Sequence, residues 1–108
     1  MSMDEMNTPL VSEFADDPDM ADIVEMFLDE LPERINSLES AIKDGDAELL
    51  QRLAHQLRGA GTGYGFPQIT DAGAVLEDGI RDGKPPAEIR ELYDNLHRTC
   101  SRALPKAA

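Results

Sequence analysis

His55 has Arg52 three residues before it and Arg58 three residues after it, with Gly59 following directly. On a helix turning about 100° per residue, Leu53 and Leu57 lie about 160° from His55. On the same wheel Arg52 and Arg58 lie about 60° to either side of it and Gly59 about 40° away. One face therefore carries an imidazole, two guanidinium groups and a residue with no side chain, opposite the leucines. A neutral imidazole nitrogen is a nucleophile near neutral pH, and a guanidinium can hold the oxygens of a transferring phosphoryl group. Glycine inside a helix costs about 1 kcal/mol relative to alanine, and Gly59 clears room beside the ring for a bulky group. These residues fit reversible phosphorylation of His55 better than proton transfer or hydrolysis. Nothing next to His55 offers the hydroxyl of a Ser/His/Asp hydrolase, since Thr62 lies almost two turns on.

Composition narrows the alternatives. The 108 residues suit one domain, and 41% hydrophobic residues are enough for one modest, mostly aliphatic core. Ten Lys plus Arg against 22 Asp plus Glu give a net charge of −12, which argues against nucleic acid or an anionic membrane as partner. Cys100 is the single cysteine, so no intramolecular disulfide is possible, and with two His it leaves little for a zinc site. The opening Met-Ser-Met-Asp-Glu-Met is acidic and does not read as a secretory leader. No stretch approaches the roughly 18 apolar residues of a membrane span. A cytoplasmic setting is expected.

The elements that must position His55 follow from periodicity. Residues 1–16 read as an acidic lead-in with a docked turn around Leu10, Val11 and Phe14. Asp17-Pro18-Asp19 reads as a helix start. Apolar residues at three- and four-residue spacing from Met20 through Ile23, Phe27, Leu31 and Ile35 to Ile42 then predict a helix of about 25 residues. Pro32 should kink or split it, and the unbroken apolar stripe on both sides points to a kink. Asp44-Gly45-Asp46 ends that helix and can start the second, which carries Leu49, Leu50, Leu53, Leu57 and Ala60. Four glycines between Gly59 and Gly65 make its continuation costly. A third helix begins near Phe66-Pro67 and ends at Gly83, and a fourth opens at Pro85-Pro86 and stops at Leu104-Pro105. The expectation is an all-α, antiparallel up-and-down four-helix bundle over residues 17–104, with a tail at 105–108 and no competing strand pattern.

Other signals carry less. The glycine run resembles a nucleotide-binding loop, but a helix rather than a strand precedes it and no Lys-Ser/Thr follows. It reads instead as a close helix–helix approach and an abrupt turn. His97 suits the negative end of the last helix dipole. Cys100 falls on the apolar stripe as a small hydrophobe. Met3, Met6, Met20 and Met26 read as packing or tail residues.

Ala54-His55-Gln56-Leu57-Arg58-Gly59, with Gly65 ten residues after the histidine, resembles the motif of histidine-containing phosphotransfer (HPt) domains. The resemblance extends over roughly residues 17–104 and includes the Phe27-Leu28…Leu31-Pro32-Glu33-Arg34 stretch. Arg58 departs from the family's usual lysine, keeping the charge but replacing a point charge with a planar fork. The resemblance implies that His55 accepts a phosphoryl group from a receiver-domain phospho-aspartate and hands it to another receiver. It implies Mg²⁺ on the receiver and no cofactor or metal on this chain. Glu77, 22 residues after the histidine, matches the position where some members set an acid or amide against the ring.

The expectation is thus a monomeric phosphoryl carrier of a two-component phosphorelay. It would have no kinase activity of its own, and its partners would be receiver domains and a hybrid histidine kinase. Arg52 and Gln56 would border the docking surface, with Tyr64 a weaker candidate. A helical adaptor that binds signalling partners without phosphorylation is the alternative, and it would tolerate loss of His55.

Overall fold

A computed structural model describes residues 8–105. Four helices account for most of them: α1 (Ala21–Lys43), α2 (Ala47–Gly63), α3 (Pro67–Arg81) and α4 (Pro86–Ser101). Short turns at 44–46, 64–66 and 82–85 join them, which makes sequence neighbours antiparallel. The closest packing is between α2 and α3, whereas α1 and α4 touch sparingly.

Helix α1 runs through Pro32 without being split. Val24, Phe27 and Leu31 before the proline and Ile35 and Leu38 after it are all buried on one face. Burying five such side chains outweighs the one backbone hydrogen bond the proline forfeits. The helix starts at Ala21, later than Asp17-Pro18-Asp19 predicts. Asp17 accepts from the Asp19 amide at 2.9 Å, a local turn that competes with helix extension. At the start of α2 the Asp46 side chain does cap, accepting from the Leu49 amide at 3.1 Å.

The glycine run does not end α2 early; the helix reaches Gly63. Gly61 shows why glycine is there, since a Cβ would come within 2.6 Å of the Thr70 backbone nitrogen on α3. Beyond it the chain reverses at Gly65, whose φ of +88° only glycine adopts readily. Phe66 and Pro67 then open α3 as expected.

Two details were not visible in the periodicity. The lead-in forms β1 (Leu10–Val11), which pairs in parallel with β2 (Ala103–Leu104) in the register Leu10↔Ala103, Val11↔Leu104. This pairing draws Ala103 and Leu104 out of the last helix, so α4 ends at Ser101 rather than near Leu104. Two residues are too few to show alternation. The lead-in then crosses the α2–α3 turn, where Ser12 Oγ donates to the Tyr64 carbonyl at 2.7 Å. The Glu13 amide donates to the Gly65 carbonyl at 2.9 Å. Met3 and Met6 lie outside the described residues.

Candidate functional site

Leu57 and Ala54 turn into the core, which leaves His55 on the outer face of α2 with 70% of its side chain exposed. The buried register of α2 therefore fixes the direction of the imidazole, as the helical wheel predicts. Across from it α3 buries Ile69, Ala72 and Leu76, and the same packing draws Glu77 in to 6% exposure.

A buried carboxylate needs partners, and Glu77 has two. Its Oε2 lies 2.9 Å from Nδ1 of His55, and its Oε1 accepts from an Arg58 guanidinium nitrogen at 3.1 Å. Burial alone pushes the Glu77 carboxyl up. The hydrogen bonds from Arg58 and His55 and the charges of both outweigh that, holding it below the usual carboxylate range. The site is therefore a triad of His55, Arg58 and Glu77, with the acid beneath and the ring outermost.

The structure brings three sequence candidates together and leaves others at the margin. Gly59 is exposed, and a Cβ there would meet nothing within 4 Å. Arg52 and Gln56 are exposed on the same helix and form no side-chain hydrogen bond or ion pair among the described residues. Tyr64 is not a free group: its ring stacks on Phe27 at 4.4 Å with 9° between planes. Gly65 sits in the α2–α3 turn, as its place in the motif implies.

Three features escaped the sequence reading. Thr70 on α3 donates its hydroxyl proton to the Arg58 carbonyl at 2.6 Å, a contact between helices that no spacing along one helix reveals. Ile23 and Met26 of α1 are 44% and 63% exposed rather than packed. A shallow depression beside them runs from Ile23 past Arg34 to Gln56, Gly59 and Tyr64. Cys100 behaves as expected, buried, with its thiol pushed up to about 12 by desolvation.

Among the described residues no group of three or more His, Cys, Asp or Glu is placed to hold a metal ion. No helix among them is long and apolar enough to cross a membrane.

The geometry is thus a helical bundle whose second helix exposes a histidine backed by a buried acid of the third. The family model described as Hpt domain matches residues 22–103, and the chain belongs to that family. Its members are phosphotransfer carriers rather than kinases, and they work with receiver domains and histidine kinases in phosphorelays. Comparison with curated proteins and with solved structures finds no match to the chain.

Proposed function

We propose that this protein carries a phosphoryl group on Nε2 of His55, taking it from a phospho-aspartate on a receiver domain and passing it to another receiver. The observation that carries this reading is the 2.9 Å contact between Nδ1 and the buried Glu77 carboxylate. A carboxylate held ionised accepts a proton, so Nδ1 is the protonated nitrogen and Nε2 keeps its lone pair. That lone pair belongs to an exposed ring beside a helix position with no side chain.

In the forward step Nε2 attacks phosphorus, the acyl-phosphate P–O bond breaks, and the aspartate leaves as its carboxylate. The ring, still protonated at Nδ1, becomes cationic, and Glu77 compensates that charge. Retaining the Nδ1 proton also keeps the N–P bond easy to break, so transfer remains reversible. Arg58 holds the carboxylate in place and contributes positive charge beside the arriving oxygens. Mg²⁺ belongs to the receiver. The receiver docks over α2, with Arg52, Gln56 and Gly59 beneath it and the exposed Ile23 and Met26 beside it. The contact is small and transient, the carrier is monomeric, and a hybrid histidine kinase feeds it in the cytoplasm.

Incubation with a phosphorylated receiver tests this reading. Wild type should take up acid-labile, alkali-stable phosphate, and His55→Gln, equally folded by circular dichroism, should take up none. Equal labelling of the two proteins rules the reading out and leaves the adaptor alternative.

A further inference from the structure

Helix α3 touches Arg58 at three points in a row. Thr70, Gly73 and Glu77 lie at i, i+3 and i+7, along one face of the helix. Glu77 holds the guanidinium at 3.1 Å. Gly73 lets the backbones approach so closely that a Cβ there would stand 3.2 Å from Cα and N of Arg58. Thr70 holds the carbonyl, with its hydroxyl 2.6 Å from the Arg58 oxygen.

The same hydroxyl oxygen accepts from the Thr62 amide at 2.7 Å and from the Thr62 hydroxyl at 2.8 Å. A threonine hydroxyl has one proton to give and two lone pairs, and all three are in use. Arg58 C=O and Thr62 N–H are also an i, i+4 pair, which face each other along an α-helix. Thr70 therefore engages both members of one backbone pair in the turn after His55. Gly61 makes this possible, because a Cβ at that position would come within 2.6 Å of Thr70 Oγ1. Arg58 is fixed at its backbone and at its guanidinium by one neighbouring helix.

We propose that Thr70 is a positioning residue of the phosphoryl-accepting site. Its hydroxyl sets the Arg58 turn of α2 so that Arg58 and His55 meet the two oxygens of Glu77 together. The inference rests on the phosphocarrier reading and adds a residue outside the histidine motif. Valine has the shape of threonine, but its methyl in place of Oγ1 cannot sit 2.6 Å from a carbonyl oxygen, a distance only a hydrogen bond permits. Thr70→Val therefore pushes the Arg58 backbone away from α3, whereas Thr70→Ser keeps the hydroxyl.

The test measures transfer from a phosphorylated receiver as a function of receiver concentration, with wild type, Thr70→Ser and Thr70→Val side by side. Thr70→Val should lower the saturating rate by roughly tenfold, as small misplacements of reacting groups do. The receiver concentration at half-maximal rate should stay within about twofold, because Thr70 is not among the residues placed beneath the receiver, and Thr70→Ser should match wild type. Nitrogen NMR of the Arg58 guanidinium gives a readout independent of any partner. Its N–H signals, held by Glu77 in wild type and Thr70→Ser, should broaden or collapse in Thr70→Val. Should that variant fail to fold, Thr70→Ala serves in the same comparison with the same direction of effect. An unchanged saturating rate, or a loss that Thr70→Ser shares, overturns the proposal. If wild type takes up no phosphate, the phosphocarrier reading falls instead, and the Arg58 signals alone decide whether Thr70 holds that turn.

Discussion

The Glu77 carboxylate on α3 lies 2.9 Å from Nδ1 of His55, a residue 22 positions earlier on α2. The two differ sharply in exposure, with side chains 8% and 70% accessible. The acid is thus a fixed group beneath a ring that remains reachable, and the proposed chemistry depends on that asymmetry.

Removing the charge while keeping the shape isolates the acid's contribution. Glu77→Gln should slow phosphoryl uptake by His55 by roughly tenfold or more, in line with losing a charge-assisted hydrogen bond of about 1.5–3 kcal/mol. Initial rates of labelling from a phosphorylated receiver provide the measurement. A rate within twofold of wild type would mean that Glu77 only packs.

The same carboxyl gives a pH dependence of stability. Its native pKa is held below the usual range, so the unfolded chain binds the proton more readily than the folded one. The resulting stabilisation is fully present above the ordinary carboxylate range. It is lost as pH falls through the depressed native value. Urea midpoints of wild type and Glu77→Gln should therefore differ most near pH 7 and converge in acid. Parallel curves between pH 7 and pH 3 would contradict the coupling.

Two glycines two positions apart should respond oppositely to the same substitution. Gly59→Ala meets open space and should stabilise the protein by about 1 kcal/mol through helix propensity, raising the melting temperature by several degrees. It should also slow phosphoryl transfer, and a larger side chain should slow it further. Thermal melts and labelling rates on one protein sample check both effects, and a stabilised variant with full transfer activity would remove the access role.

Gly61→Ala instead drives a methyl to 2.6 Å from the Thr70 nitrogen and hydroxyl. The expected destabilisation is about 1–3 kcal/mol, the usual cost of overpacking a close contact. Chemical denaturation measures it directly.

What the sequence disclosed follows from the range of the interactions. His55, Arg58 and Gly59 were legible because their mutual directions depend on the period of one helix. The four helices were legible from apolar spacing and from turn residues such as Gly65 and Pro67. Glu77 entered only through the family motif, since nothing local distinguishes a buried acid on α3 from a solvated one. Thr70 was invisible for the same reason, because its partners Arg58 and Thr62 lie on another helix. The pairing of Leu10–Val11 with Ala103–Leu104 spans nearly the whole chain and leaves no periodic trace. Continuation of α1 through Pro32 was legible in the unbroken apolar stripe on both sides of the proline, whose burial outweighs the local cost.

In the proposed chemistry Nδ1 of His55 stays with Glu77 and Nε2 takes the phosphoryl group. Combined phosphorus and nitrogen NMR of the chain after labelling by a phosphorylated receiver tests it most directly. The expected result is one phosphohistidine, at His55, with phosphorus bonded to Nε2 and a proton retained on Nδ1. Phosphate on Nδ1, or on any residue other than His55, would contradict it.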